Sequence, residues 1–307
     1  MHSEGPIVAL TGATGFVGHS VLEELLAQGY QVRALTRRAQ PERAGVVWIA
    51  GDLSDRAALS ELTRGAEATI HVAGVTNAPD VAGFEAGNVT GTLNLIEAAV
   101  AHGVPRFVLV SSLSAREPGL SDYGASKARA EKLLKASPLD WTIVRPPAIF
   151  GPRDKEMMEL FRAARWGIVP VPAQGRASMI HVEDLARLLV ALVPPGEAVL
   201  RQTFEPDDGK PNGWEHTEFA LAIGQAMGRR PKVLGLSRKA LDRAAAVDHF
   251  LRGTKAKMTR DRAAYFSHPD WVVTPGAGVP PAIWQPRIET REGLRTTAAW
   301  YRENKWI

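Results

Sequence analysis

Short apolar runs alternate with longer runs of helical period through the first half of the chain. Residues 7–11 (IVALT), 31–36 (QVRALT) and 46–50 (VVWIA) read as strands, with a helix over 17–28 between the first two. A helix over 55–63 follows, with Ser54 as its N-cap. The pattern then predicts a strand at 69–73, a long helix at 84–102, a strand at 106–111, a helix at 122–135 and a strand at 141–145. Strands apolar on both sides and separated by helices indicate a parallel sheet covered on both faces. The expected fold class is therefore α/β, a doubly wound parallel sheet.

Beyond about Phe150 the character changes. GPRDKE, PVPAQG and PPGEA are Gly/Pro-rich breaks. The apolar helix over 182–192 returns to the sheet layer. From about Phe204 the chain is mixed, with dense proline and five of the eight tryptophans: Trp214, Trp271, Trp284, Trp300 and Trp306. The expected division is one domain at 1–150 plus about 177–203, and a smaller, discontinuous C-terminal domain at 151–176 and 204–307. The run TPGAGVPPAIWQP carries Ile and Trp that favour burial, so it reads as an ordered loop rather than a linker.

Composition removes several classes. The chain has 307 residues, 45% hydrophobic and 23% charged, ordinary for a globular protein. A net charge of +4 over this length is too weak to argue for nucleic acid. No cysteine is present, which excludes disulfides, Cys-ligated metals and thiol nucleophiles. The eight histidines include no HExxH and no metal-ligand spacing, so no metal is expected. The first residues lack the basic and apolar regions of a signal peptide, and no run reaches ~18 apolar residues. A cytoplasmic protein without a membrane partner is expected; a membrane role would rest on the basic, Trp-containing C-terminus alone.

The segment IVALTGATGFVGHSVLEELL places Gly12, Gly15 and Gly18 at a strand-to-helix junction. Glycines let a backbone approach a pyrophosphate, and the helix N-terminus offers unpaired N–H donors and a positive dipole end. The spacing TGxxGxxG resembles the short-chain dehydrogenase/reductase superfamily in its extended, epimerase/dehydratase branch. Further motifs accumulate along the chain: Asp52-Leu53, HVAG (71–74), Asn88 in NVTGTLNLIEAA, VLVSS (108–112), YGASK (123–127) and RPPAIFGPRD (145–154), where Phe150 replaces the usual Tyr. IHVEDLAR and the closing GLRTTAAWYRENKWI also resemble that branch.

The resemblance implies a Rossmann dinucleotide-binding domain and a C-terminal substrate domain. It implies cofactor contacts from Gly12, Thr14, Gly15, Phe16, Val17, Gly18, Asp52, Leu53, Ala73, Gly74, Pro146 and Ile149. It implies a catalytic Ser112, Tyr123 and Lys127, the lysine also meeting the nicotinamide ribose. A homodimer through the 84–102 and 122–135 helices is the family habit.

At the end of the second strand an acid would bind the ribose of NAD(H). Thr36 stands there, followed by Arg37 and Arg38, so NADP(H) is expected over NAD(H), with Arg37 as the contact and Arg33 as runner-up. Tyr123 and Lys127 are four residues apart on one helix face. An ammonium beside the phenol would lower its pKa from about 10 and let it exchange a proton near neutral pH. The short segment between Ser112 and Tyr123 departs from the nucleotide-sugar enzymes and makes Ser114 a rival serine. Arg145, Arg153, Arg176 and Arg287 are each either substrate anion contacts or structural ion pairs. His181 reads as a residue at a helix start, His71 as a hydrogen-bonded core residue and Asp207-Asp208 as a turn.

The resulting expectation is an NADP-dependent oxidoreductase moving hydride between nicotinamide and a secondary alcohol or ketone of a small-molecule substrate. Two alternatives stand: a nucleotide-sugar epimerase/dehydratase with retained NAD(P), and a non-catalytic NADP(H)-binding sensor or assembly protein.

Overall fold

A computed structural model describes residues 5–253, 256 and 258–307. In chain order the first half forms β1 (Ile7–Thr11), α1 (Phe16–Ala27), β2 (Gln31–Thr36), β3 (Val46–Ala50), α2 (Arg56–Thr63) and β4 (Ala68–His71). It continues through α3 (Val81–Phe84), a π-helical turn (Glu85–Thr90), α4 (Gly91–Ala101), β5 (Arg106–Val110), a 3₁₀ turn (Leu113–Arg116), α5 (Asp122–Lys135) and β6 (Asp140–Val144). The second half adds β7 (Ala148–Phe150), α6 (Met158–Arg165), β8 (Ile168–Pro172), β9 (Arg176–Ala177), β10 (Met179–His181), α7 (Val182–Ala191) and β11 (Gln202–Phe204). Last come β12 (Trp214–Glu215), α8 (His216–Ala226), β13 (Lys232–Leu236), α9 (Arg238–Arg252), α10 (Arg260–Phe266), β14 (Asp270–Trp271) and α11 (Thr290–Glu303).

The main sheet has seven parallel strands in the order β11-β6-β5-β4-β1-β2-β3. Strand order reverses beside β1, where β4 lies on one side and β2 on the other; such a reversal opens a crevice at the carboxyl ends of the strands. Alternation along β1 divides the core. Val8 and Leu10 pack with Val21, Leu25, Leu185 and Leu188 on the α1/α7 side, while Ala9 packs with Leu59, Leu95, Phe107 and Leu134 on the other.

A third cluster, with Phe150, Phe161, Trp214, Phe219 and Tyr301, builds the C-terminal lobe around small sheets β10-β7, β12-β9-β14 and β13-β8. A fourth, of Leu241, Ala245 and Ala263, joins α9 to α10. Trp284 anchors the proline-rich loop by donating its indole N–H to the Asp184 carbonyl at 3.0 Å.

Three local expectations shift. The cap of α2 is Asp55, which accepts from the Ala58 N–H, because Ser54 is held by the Asp52 carboxylate instead. The helix expected from residue 84 starts at Val81 and contains the π-helical turn. The C-terminal helix α11 buries Leu294, Ala298 and Tyr301 against the lobe, so its apolar stripe is already used.

Candidate active site

The turn after β1 is built for close approach. Gly12 has φ +79°, and a Cβ there would lie 2.8 Å from the Ala73 nitrogen; one at Gly18 would lie 2.0 Å from the Gly12 carbonyl oxygen. The first turn of α1 has no side-chain cap, and Thr14 and Gly15 are exposed. Free N–H groups, a dipole end and a cradle without side chains fit a pyrophosphate. Phe16 and Val17 are half-buried behind it.

Behind the cradle runs a closed chain of hydrogen bonds. The Ala73 N–H donates to Thr11 Oγ1 (3.2 Å), which pairs with His71 Nδ1 (2.6 Å). His71 Nε2 meets Thr92 Oγ1 (2.9 Å), and that hydroxyl donates to the Asn88 carbonyl (2.6 Å). With the Thr92 proton spent on Asn88, Nε2 must carry the imidazole proton and Nδ1 must accept from Thr11. Burial holds His71 neutral, its pKa lowered to about 3. Here the core-histidine reading and the geometry agree.

Asn88, buried in the π-helical turn, ties three pieces together. Its Oδ1 accepts from the Val75 N–H (2.7 Å), and its Nδ2 donates to the Val75 carbonyl and to Ser126 Oγ (both 2.9 Å). Ser126 in turn donates to the Tyr123 carbonyl at 2.7 Å. The loop after β4, carrying Ala73 and Gly74, is thereby fixed to the helix bearing Tyr123 and Lys127. π-Helical turns are frequent at functional sites.

Lys127 is buried and its Nζ donates to the Val110 carbonyl at 2.9 Å. Burial lowers its pKa to about 8. Tyr123 packs between Phe84 and Tyr265, with ring centroids at 6.1 and 6.5 Å. Contrary to the sequence expectation, its pKa is raised, to about 12. Burial outweighs the opposing hydrogen bond from Ser112, and the Lys127 ammonium is turned to the strand carbonyl of Val110.

Ser112 caps the 3₁₀ turn, accepting from the Ser114 N–H (3.2 Å) and hydroxyl (2.9 Å). Ser112 thus stands between Tyr123 and Ser114, with Ser114 behind it. Pro146 braces the same turn by accepting from the Leu113 N–H at 3.0 Å, and Ile149 packs with Val17 on the sheet core.

At the other end of the crevice, Arg37 and Arg38 are exposed, with no ion-pair partner among the described residues. Arg37 is near enough to help lower the Asp52 carboxyl, whose main partner is the Ser54 hydroxyl. Arg33 points away, donating to carbonyls of Glu61 and Arg64 at the end of α2. Leu53 packs against Gly91, and its carbonyl accepts from Asn94.

The other arginines have structural partners. Arg145 forms a fork to Glu131 (2.8 and 2.7 Å) and reaches Glu205 (3.3 Å), while Ser111 donates to the same Glu131 at 2.6 Å. Arg153 lies over Trp300, Arg176 pairs with Glu215, and the Arg287 backbone N–H donates to Asp184. Asp207 and Asp208 close a turn at Gly209 and hold Ser178 and Trp214. Tyr265, against Tyr123, had no sequence signal: it comes from α10, far along the chain, in a stretch with no motif.

The geometry matches known proteins over nearly the whole chain. The NAD(P)H-binding family profile matches residues 12–194. A ceramide reductase of Caulobacter vibrioides is 39% identical, over 98% of this chain and 96% of that protein. A UDP-glucose 4-epimerase of Vibrio cholerae is 28% identical, over 66% of this chain and 70% of its own length. Among solved structures, MoeE5 in complex with UDP-glucose and NAD superimposes with a TM-score of 0.77 at 23% identity, covering 98% of this chain and all of that one. The chain belongs to the NAD(P)H-binding family and is an NAD(P)-dependent enzyme of the extended short-chain dehydrogenase/reductase type.

Proposed function

We propose that the protein is an NADP(H)-dependent reductase of a long-chain ketone of the ceramide class. The observation that carries this reading is the 39% identity to a ceramide reductase across the C-terminal half as well as the nucleotide-binding half, since the C-terminal half supplies the substrate wall. Gly12, Gly15 and Gly18 receive the pyrophosphate, with Thr14 at the rim and Ala73, Gly74, Pro146 and Ile149 lining the nicotinamide end. Arg37, assisted by Arg38, takes the 2′-phosphate, where a carboxylate would repel it. When bound, the cofactor supplies the hydride that reaches the carbonyl carbon.

The chain's own residues handle the oxygen and its proton. Ser112 donates to the carbonyl oxygen and orients it, and the Ser114 hydroxyl behind keeps Ser112 aimed outward. Tyr123 gives its phenolic proton to the oxygen as negative charge develops, so the ketone becomes a secondary alcohol. With its pKa raised by burial, the phenol is protonated at neutral pH and so holds the proton that reduction consumes. Lys127, on the same helix, holds the ribose.

NADPH oxidation is to be followed with an N-acylated long-chain amino ketone in detergent, with NADH in parallel. The expected result is turnover with NADPH, and Arg37→Ala raising the Kd for NADPH about tenfold with little effect on NADH. Equal use of NADH by the wild type would overturn the cofactor assignment. Interconversion of a nucleotide sugar without net NADPH loss would move the protein to the epimerase reading.

A further inference from the structure

Helix α9, which packs on α10, presents an uncovered apolar ridge. On α9, Val247, Phe250 and Leu251 are 58%, 88% and 71% exposed and belong to none of the four hydrophobic clusters. Their i, i+3, i+4 spacing puts them on one face, opposite Leu241 and Ala245, which pack on α10. Lys239 and Arg243 continue the same i, i+4 row; both are exposed and have no ion-pair partner among the described residues.

Charge is concentrated in the same stretch. Residues 229–252 hold seven Lys or Arg against two Asp, a net +5, whereas the whole chain carries +4 and the remaining 283 residues therefore net −1. A helix with apolar residues along one face and cations beside them is suited to lie in a headgroup layer. Two copies of the chain would bring two surfaces of the same sign together, which disfavours self-pairing through this face. No helix among the described residues is long and apolar enough to cross a membrane.

We propose that α9 docks the protein on an anionic lipid bilayer, so that the substrate passes from the membrane to the site without crossing water. The inference rests on the reading of the substrate as a lipid ketone. The connection to the site is short. α9 packs on α10, α10 places Tyr265 against Tyr123, and its Asp261 accepts from the Asp122 N–H at 2.6 Å at the start of the catalytic helix. Docking through α9 therefore holds the catalytic wall two helices from the lipid surface.

The test is flotation of the full chain with vesicles of phosphatidylcholine mixed with phosphatidylglycerol, and with phosphatidylcholine alone. The expected result is flotation with the mixed vesicles, weakened by salt, and little with neutral ones. Phe250→Asp with Leu251→Asp should lower the bound fraction about tenfold or more, and Lys239→Gln with Arg243→Gln should reduce it severalfold. All four positions are exposed, so the thermal midpoint and NADPH affinity should match the wild type; should the aspartate pair fail to fold, the glutamine pair and the salt series carry the test.

Absence of flotation on anionic vesicles overturns the proposal, as does a folded aspartate pair that floats like the wild type. A wild-type dimer that the aspartate pair converts to monomer overturns it as well, assigning the ridge to a second copy. Flotation requires no substrate, so the two readings separate. A chain that floats but reduces no keto lipid counts against the catalytic assignment, and one that reduces detergent-dispersed ketone without floating counts against docking.

Discussion

The two walls of the crevice are held by different means. The sheet wall hangs Ser112, Tyr123 and Lys127 from β5 and α5, and a network of buried polar groups stands behind them: Asn88 bonds to Val75 and Ser126, His71 to Thr11 and Thr92, Glu131 to Arg145 and Ser111. On the opposite side α10 brings Tyr265 to Tyr123 and is joined to α9 by a satellite core whose buried members are Leu241, Ala245 and Ala263. Proton transfer needs geometry held to fractions of an ångström, and the networked wall supplies it. An α9–α10 pair joined through so few buried side chains would open at low cost, as the proposed lipid substrate would require.

The largest effect that would sharpen this contrast lies on the sheet wall. Tyr123→Phe should lower kcat about 10³-fold while leaving NADPH binding, read by fluorescence, nearly unchanged. Retained turnover would remove the phenol from the chemistry.

Next come two leucine truncations of the same kind. Leu188→Ala, in the core between α7 and the sheet, should cost about 3 kcal/mol in denaturant unfolding. Leu241→Ala should cost about 1 kcal/mol or less globally yet markedly speed hydrogen exchange across α9 and α10. Equal global costs would mean the α9–α10 pair is as integral as the sheet.

The histidines give a third contrast. Burial lowers His71 to about 3 and His181 to about 4, so the folded state refuses protons that the unfolded chain takes up below about 6.5. Stability is therefore full above pH 6.5 and falls as the pH drops toward those folded values. His71 alone should remove about 2 kcal/mol between pH 6.5 and 5. Urea unfolding at both pH values, with wild type and His71→Gln, reads this directly; an unchanged slope in the variant would show that His71 does not contribute it. The smallest effect is expected at Ser114→Ala, a loss in kcat of a few fold, because Ser114 supports Ser112 from behind.

The sheet and its cradle were legible in the sequence because their signals are local. Apolar runs alternate with helical ones, and Gly12, Gly15 and Gly18 sit where backbone must approach backbone. The YxxxK spacing needed only a helix to bring Tyr123 and Lys127 to one face. What escaped depends on distance and burial. The phenol moves up rather than down because it is buried, while Lys127 spends its ammonium on the Val110 carbonyl, an acceptor on another element. Arg145 read equally as an anion contact or a structural ion pair, and only the approach of Glu131 and Glu205, from α5 and the segment after β11, decides for the pair. Tyr265 has no periodic or motif signal, and its importance exists only once α10 lies over α5.

The π-helical turn at Glu85–Thr90 bonds i to i+5 and so accommodates one residue more than an α-helix would between Phe84 and α4. Deleting a single residue from 85–87 would let the segment close into uninterrupted α-helix, and circular dichroism would register almost nothing. Because the surplus residue is absorbed within the turn, the two flanks would keep nearly the same phase. Phe84, which lies 6.1 Å from the Tyr123 ring, and Asn88, which holds the loop after β4, would then still face the crevice together. The surplus residue is a local widening of the backbone between two fixed contacts, and its deletion should be tolerated far better than a deletion inside α4.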